Sequence, residues 1–265
     1  MAEFKEPGGS VSFDRAADFY DRTRALPPEL AAEQTALLAA QVRDRLCLEI
    51  GVWTGRISLP LAGAGARVVG IELSAAMLDR LRDKDPGRPA PVLRADAGAL
   101  PFATGSFGAA LACHVLHLVA DWVAVVDELV RVVRPGGVLL VTRGAARDGL
   151  LADLNARIRT GAGAAARPGS LDRLDELDAY LSGRGATVAR LPALERSPTT
   201  PGRSVQGYLR ELEDQVFSWT WDIPPDRLRA SVAAARGWVS AEHGDLAHVQ
   251  IPAPPIQWHR YVLPA

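Results

Sequence analysis

Hydrophobic and polar positions alternate in a regular way through the middle of the chain. Between residues 46 and 142, short apolar runs alternate with stretches whose apolar positions recur at helical spacing. This alternation is typical of βαβ units around a parallel sheet, whose strands are buried on both faces. It predicts strands at 46–50, 67–71, 91–95, 107–113 and 137–142, and helices at 56–62, 75–82 and 122–133. Pro and Gly at 134–137 predict the end of the last helix and a turn into the next strand.

The segments on either side of residues 46–142 have other hydrophobic patterns. Residues 28–42 predict a helix with a proline in its first turn, and the small residues at 161–170 predict a linker. The remaining expectations are a helix at 171–181, strands at 187–194 and 256–263, and a helical stretch at 199–244 that holds Trp219, Trp221 and Trp238. These patterns divide the chain into an N-terminal helical segment (1–45), a core (46–198), a helical insertion (199–244) and a final strand of the core (245–265).

Composition and charge narrow the possible partners. Of the 265 residues, 48% are hydrophobic and 23% are charged, values typical of a folded globular protein. The 30 Lys and Arg against 31 Asp and Glu give a formal net charge of −1. A nucleic-acid-binding domain usually carries a basic excess or a basic tract, so nucleic acid is not expected as the partner. The oligomeric state is not predicted.

The chain lacks the patterns of export and of membrane insertion. Its longest apolar stretch, residues 109–126, is interrupted by His114, His117 and Asp121, and its first ten residues lack the apolar core of a signal peptide. Cys47 and Cys113 lie in apolar, strand-like runs, which is typical of reduced core thiols. We therefore predict a cytoplasmic protein without membrane contact.

A glycine-containing loop, LEIGVWTGR at 48–56, carries the clearest chemistry. It follows a predicted strand and precedes a predicted helix, which is the context of a nucleotide-binding loop. Glu72 ends the next predicted strand, 21 positions after Gly51. A carboxylate at that place can accept hydrogen bonds from ribose hydroxyls. Asp96 follows the third predicted strand and lies at the same sheet edge.

At these residues the sequence resembles the class I S-adenosylmethionine-dependent methyltransferases, in the group that includes quinone-biosynthesis and many small-molecule enzymes. The resemblance runs from about residue 46 to residue 142, through LEIGVWTGRISLPLA, VVGIELSAAMLDRL, the stretch at 94–122 and LVRVVRPGGVLLV. Residues 19–30 resemble the segment that this group places over the cofactor. The resemblance implies an α/β, Rossmann-like fold with a mostly parallel seven-stranded sheet, helices on both faces and a helical cap.

The resemblance also implies S-adenosylmethionine as the cofactor and a role for individual residues. Glu49, Gly51, Trp53 and Gly55 belong to the loop around the methionine part, and His114 lines that part. Glu72 would bind the ribose, Leu73 and Met77 would flank the adenine, and Asp96 and the backbone N–H of Ala97 would recognise its edge. Tyr20 and Arg24 reach the carboxylate of the methionine part, where a guanidinium can form two parallel hydrogen bonds.

Trp53 departs from the family pattern, which has a glycine at this position. Its ring has three possible placements: against the cofactor, obstructing it, or turned towards the substrate. His117 is a candidate general base, since imidazole titrates near neutral pH; the alternative is a pocket wall or a helix cap. Cysteine and histidine at 113, 114 and 117 are metal-ligand types, but no further ligand cluster accompanies them, so no metal is expected.

The sequence thus predicts S-adenosylmethionine-dependent methyl transfer to a small-molecule acceptor, in secondary metabolism. Two alternatives stay open, both because of Trp53. In the first, the methyltransferase fold supports another reaction, such as cyclisation. In the second, the protein binds a ligand without catalysis. Trp219, Trp221 and Trp238 are either core residues or the wall of an aromatic acceptor pocket.

Overall fold

A computed structural model describes residues 10–85, 91–144, 148–165, 168–196 and 202–265. Its helices are α1 (Tyr20–Arg24), α2 (Pro28–Val42), α3 (Ser58–Gly63), α4 (Ala75–Lys84), α5 (Trp122–Val132), α6 (Gly149–Ala162), α7 (Leu174–Ser182), α8 (Val205–Glu213) and α9 (Pro225–His243). Its strands are β1 (Leu46–Ile50), β2 (Arg67–Glu72), β3 (Val92–Arg94), β4 (Phe107–Cys113), β5 (Val133–Thr142), β6 (Thr187–Arg190), β7 (Arg203–Ser204), β8 (Gln250–Ile251) and β9 (Trp258–Val262).

The first compact unit comprises residues 1–143, 167–194 and 256–265 and is built on a seven-stranded sheet. The strand order is β3-β2-β1-β4-β5-β9-β6. The first five strands in this order are parallel, and β9 runs antiparallel to both β5 and β6. The expected mostly parallel seven-stranded sheet is therefore confirmed. Because β1 to β5 run in the same direction, the loops that follow them meet at one edge of the sheet.

The centre of this sheet is covered on both faces. All seven residues of β4 are buried, which requires packing on each side of a strand whose side chains alternate. On one face, Leu111 joins a core cluster with Leu38 of α2 and Leu61 of α3. The cluster also includes Trp258 of β9, which is fully buried. This packing fixes the strand ends from which the functional loops start.

The second compact unit comprises residues 144–166 and 195–255 and contains α6, α8, α9 and the short β7–β8 pair. Its apolar core includes Ile158 of α6, Leu209 of α8 and Val232 of α9. Tyr208 in α8 donates its hydroxyl hydrogen to Asn155 in α6 at 2.5 Å. Most of the described part of the predicted helical stretch at 199–244 is helical, in α8, α9 and a short 3-10 turn at Ser218–Thr220, whereas Arg203–Ser204 form β7.

Two predicted boundaries are wrong, one because of strand pairing and one because of close helix packing. β5 begins at Val133, opposite Phe107, so 134–137 form an irregular first part of the strand instead of a turn before it. The predicted linker at 161–170 begins inside α6. Gly161 lies where α6 approaches α9, and a Cβ there would be 2.5 Å from the Ser231 hydroxyl oxygen. Gly163, with φ +66°, ends the helix in the left-handed conformation.

Other predicted elements agree with the structure within a few residues, and α2, β1 and β4 have the predicted bounds. Residues 1–9 of the predicted N-terminal segment, 166–167 of the predicted linker and 197–201, where the predicted core meets the predicted insertion, lie outside the described residues. Among the helices of the described ranges, none has both the length and the apolar composition that a membrane span requires.

Candidate functional site

The loops at the carboxyl edge of the sheet enclose a pocket in the first unit. Six residues predicted for the cofactor line it: Gly51, Trp53, Glu72, Leu73, Asp96 and Ala97. The other lining residues are Ser10, Val11, Ile71, Ala95, Val115, Leu118 and Val119. The pocket holds about 40 Å³, room for roughly three water molecules.

The loop after β1 brings the backbone close to the pocket. Gly51 has φ +63° and Gly55 has φ +83°, a conformation that glycine adopts without strain. A Cβ on Gly51 would lie 2.4 Å from Cγ2 of Val115. Trp53 has φ +51° and thus keeps the left-handed backbone of the glycine that the family pattern has there. For a residue with a side chain, this conformation costs about 1–2 kcal/mol.

Trp53 is held by an aromatic cluster, which we define as Phe13, Tyr20 and Trp53. The Trp53 ring stacks on Tyr20 with centroids 5.3 Å apart and packs edge-on against Phe13 at 4.5 Å. Its Nε1 donates to the carbonyl of Cys113 at 3.4 Å. The side chain is 7% exposed, so its ring lies between the N-terminal segment and the end of β4 and does not point into solvent.

Glu72 ends β2 and organises the adjacent loops. Its Oε2 accepts a hydrogen bond from the backbone N–H of Trp53 at 3.1 Å, and its Oε1 accepts from those of Leu73 and Ser74 at 2.9 Å. Burial raises the pKa of Glu72 to about 7, against the effect of these donors. A carboxylate has about four acceptor positions, so at least one is left for a ligand hydroxyl.

Asp96 and Ala97 follow β3 and complete the polar part of the pocket. Asp96 Oδ1 accepts from the backbone N–H of Gly98 at 3.1 Å, which fixes the turn and leaves acceptor capacity on the same carboxylate. The walls around these groups are apolar and come from Ala95, Val115 and Leu118, among others. Apolar walls with a few oriented polar groups are typical of small-molecule sites.

Two titratable groups lie behind the pocket. Burial raises the pKa of Glu49 to about 8, although the charge of Arg56 acts in the opposite direction. Burial and nearby arginines lower the pKa of His114 to about 4, so its imidazole is neutral at pH 7. His114 also has a left-handed backbone, with φ +54°.

The N-terminal segment, residues 10–24, forms one wall of the pocket. Asp14 Oδ1 accepts from the Ser74 hydroxyl at 2.5 Å and from the backbone N–H of Ala76 at 3.1 Å, at the start of α4. Asp21 accepts from the Thr54 hydroxyl at 2.6 Å and pairs with Lys84 at 2.6 Å. These polar contacts connect the segment to α4 and to the loop after β1.

The same segment is also tied to the loop after β4. The backbone N–H of Val11 donates to the carbonyl of Leu118 at 2.9 Å, and the Ser10 hydroxyl accepts from the N–H of Ala120 at 3.2 Å. The sequence resemblance places the covering segment at 19–30. Ser10, Val11 and Phe13 were not predicted for the site, because the residues before position 19 show neither helical nor strand spacing of apolar positions.

The other predicted residues lie outside the pocket lining. Met77 belongs to α4 and is fully buried, and Gly55 is buried in the loop after β1. Tyr20 contacts Trp53, and Arg24 is in the same helix as Tyr20. His117 lies between β4 and α5, on the stretch that also supplies Val115 and Leu118 to the pocket. No cluster of metal-ligand side chains occurs within the described part of the chain.

Part of the chain is similar to known methyltransferases. Residues 48–141 match a family model described as a methyltransferase domain. The chain is 34% identical over 143 residues to a demethylmenaquinone methyltransferase of Clavibacter sepedonicus, which covers 52% of this chain and 58% of that protein. It is 34% identical over 137 residues to a malonyl-[acyl-carrier protein] O-methyltransferase of Legionella pneumophila, covering 50% of this chain and 48% of that protein. This chain therefore spans about half the length of these relatives.

A solved SAM-dependent methyltransferase from Thermotoga maritima has the same fold, with a TM-score of 0.55 at 18% identity over 94% of this chain and 97% of that one. Residues 48–141 therefore resemble the methyltransferase-domain family in sequence, and the first unit has the strand arrangement of a methyltransferase fold. The cofactor of this family is S-adenosylmethionine. The acids Glu72 and Asp96 in one apolar pocket fit its adenosine part chemically.

Proposed function

We propose that this protein transfers a methyl group from S-adenosylmethionine to a small-molecule acceptor. The observation that carries this proposal is the convergence of Glu72 and Asp96, from the ends of two adjacent parallel strands, on one pocket beside the Gly51 loop. When bound, the cofactor supplies a methyl group on a positively charged sulfur.

The pocket residues have distinct roles in this proposal. Glu72 accepts hydrogen bonds from the ribose hydroxyls with the acceptor position that its backbone contacts leave. Asp96 accepts from the adenine amino group, and the backbone N–H of Ala97 donates to a ring nitrogen. Leu73 contacts one face of the adenine. These side chains hold the cofactor in one orientation. Correct orientation of the reactants lowers a reaction barrier by up to about 7–11 kcal/mol in favourable intramolecular cases.

The residues around the end of β4 face the methionine part and the acceptor. Trp53 forms a wall there, with its ring held by Phe13 and Tyr20. Arg24 pairs with the carboxylate of the methionine part. His117 removes a proton from acceptors whose nucleophilic atom carries one. The near-neutral net charge and the pocket's apolar walls favour a small acceptor over a nucleic acid.

Methyl transfer is tested with S-adenosylmethionine labelled on its methyl group, incubated with the protein and a panel of small hydroxy, amino and carboxylic compounds. The proposal predicts label in at least one compound, and slower labelling of that compound by Asp96→Asn when the cofactor is below saturation. Cofactor binding without transfer to any panel member would contradict methyl transfer and favour a different reaction on the same fold.

A further inference from the structure

Three arginine side chains approach the end of β4 from different elements. Arg143 directly follows β5, and His114, which follows β4, donates its backbone N–H to the carbonyl of Thr142 at 3.0 Å. Cys113 lies opposite Thr142 in the β4–β5 pairing. The backbones of Arg143 and His114 are therefore neighbours at the carboxyl edge of the sheet.

Arg24 and Arg56 reach the same place through Tyr20. Arg24 follows Tyr20 by four residues in α1, so the two side chains share one helix face. The guanidinium carbon of Arg56 lies 5.9 Å from the centroid of the Tyr20 ring, which stacks on Trp53. Trp53 in turn donates to the carbonyl of Cys113, the last residue of β4. These contacts form a continuous path from Arg56 to this strand end.

Three positive charges act on His114 at this strand end. The three guanidinium groups, together with burial as the largest cause, lower the pKa of His114. Burial raises the pKa of Glu49 to about 8, so this acid is mostly protonated at pH 7 and adds little negative charge. The carboxylate that pairs with Arg143 belongs to Asp172, at 3.4 Å, and its side chain is 62% exposed. A ligand carboxylate can therefore replace the Asp172 carboxylate at Arg143. The displaced Asp172 side chain stays exposed to solvent, so no acid is buried without a partner.

The proposed function accounts for one of these arginines, because Arg24 pairs with the carboxylate of the methionine part. Arg56 and Arg143 are the other two arginines whose charges act on His114. A guanidinium binds a carboxylate through two parallel hydrogen bonds, a geometry that lysine does not provide. We propose that the methyl acceptor is an anion whose carboxylate is held by Arg56 and Arg143. This inference rests on the proposed function and deepens it by naming the substrate class.

The test compares matched acids and amides. Benzoate and benzamide, and hexanoate and hexanamide, are titrated by calorimetry into the protein saturated with S-adenosylhomocysteine. Each acid differs from its amide mainly in charge, so the comparison isolates the arginines. We expect both acids to bind at least about tenfold more tightly than their amides. Equal binding of acid and amide, or no binding of either acid at millimolar concentration, would overturn the inference.

Four variants separate the acceptor site from the cofactor site. Arg56→Gln and Arg143→Gln should each weaken acid binding about ten- to a hundredfold and leave S-adenosylhomocysteine binding within about twofold. Arg24→Gln should weaken S-adenosylhomocysteine instead. The matched control is Arg82→Gln, which removes the same charge from an exposed position in α4 and should change neither affinity. Loss of cofactor affinity in Arg56→Gln and Arg143→Gln, to the extent seen in Arg24→Gln, would contradict the assignment.

Folding and the proposed function are controlled separately. Melting temperatures identify a variant that has lost its fold, and the acid–amide comparison on the unmodified protein needs no variant. If S-adenosylhomocysteine fails to bind, the proposed function fails. The acid–amide comparison without cofactor then still tests the arginines, and tighter binding of the acids supports an anion site on its own.

Discussion

At the scale of single residues, Trp53 combines two opposing effects. Its left-handed backbone, φ +51°, is strained for a residue with a side chain. Its ring, however, is buried between Phe13 and Tyr20 and donates a hydrogen bond to Cys113. Aromatic pairs of this kind contribute about 0.5–1.5 kcal/mol beyond their buried area. The ring contacts outweigh the backbone strain, and they explain how a large residue is accommodated in a glycine-type turn.

Replacing Trp53 tests whether the ring supports the pocket. Trp53→Gly relieves about 1–2 kcal/mol of backbone strain but removes a buried ring, a loss of about 3–5 kcal/mol in typical cores. We therefore expect a lower melting temperature and weaker binding of S-adenosylhomocysteine, both measured on the purified variant. Trp53→Phe keeps a ring and should show smaller losses. A tenfold or greater gain in cofactor affinity for Trp53→Gly would instead mean that the ring obstructs the site.

The two pocket acids should respond differently to substitution. Glu72→Ala should weaken S-adenosylhomocysteine binding about ten- to a hundredfold and also lower stability, because three backbone N–H groups lose their acceptor. Asp96→Asn should weaken binding about tenfold with little change in melting temperature, since its contact within the described residues is a single turn hydrogen bond. Calorimetry and thermal melting measure both effects. Unchanged affinity in either folded variant would remove that acid from the cofactor site.

Glu49 predicts a specific pH dependence of stability. Its pKa is about 8 in the folded protein, against 4.5 for the unperturbed group. Between these two pH values the folded state therefore binds more protons than the unfolded state. The stability that protonated Glu49 contributes is fully present below about pH 4.5 and is lost as the pH rises through about 8. The change is at most about 1.4 kcal/mol per pH unit.

The measurement compares Glu49→Gln with the unmodified protein by urea unfolding between about pH 5 and about pH 8. The free energy of unfolding of Glu49→Gln, minus that of the unmodified protein, should increase as the pH rises. Glu72 has the same sign and His114 the opposite sign, and both are present in the two proteins, so the difference isolates Glu49. Parallel pH profiles would show that Glu49 titrates normally.

At the scale of elements, the N-terminal segment forms one wall of the pocket, to which it contributes Ser10 and Val11. Its 3-10 turn, Asp14–Ala16, and its helix α1 have three and five residues, too short to be stable alone. Its position therefore depends on contacts with α4, with the loop after β1 and with the loop after β4. The sequence resemblance indicated a covering segment here. The particular contacts were not predictable, because they join residues up to 110 positions apart.

Asp14 tests the attachment of this segment. Asp14→Ala removes the acceptor for the Ser74 hydroxyl and the Ala76 N–H, and losing such a cap typically costs about 1 kcal/mol. Amide hydrogen exchange across residues 10–24 should become several-fold faster. The control is Asp18→Ala, which removes an ion pair with Arg80 between exposed side chains and should leave exchange nearly unchanged. Equal exchange in both variants would show that Asp14 does not hold the segment.

Strand and helix boundaries show where sequence reasoning succeeds and where it does not. β1 and β4 were predicted to the residue because their apolar runs are bounded by polar residues or glycine. β5 begins four residues earlier than predicted, because Val133 pairs with Phe107 across an irregular stretch. Pro and Gly in that stretch resemble a turn locally, and only the neighbouring strand makes it part of the sheet.

At the scale of the whole molecule, the parallel arrangement of β1 to β5 follows from alternating apolar runs and amphipathic helices. The division into compact units was less predictable. α6 belongs to the second unit together with residues 195–255, whereas its sequence suggested a linker at 161. The reason is that Gly161 permits close helix packing against Ser231, and close packing and a flexible linker both favour glycine.

Calorimetric titration of the protein with S-adenosylhomocysteine tests the central claim, that the Gly51 loop, Glu72 and Asp96 form a cofactor site. The pocket's polar groups and apolar walls predict binding of one molecule per chain, with a dissociation constant in the micromolar range, about −8 kcal/mol. Absence of heat, together with an unchanged melting temperature at millimolar ligand, would contradict it.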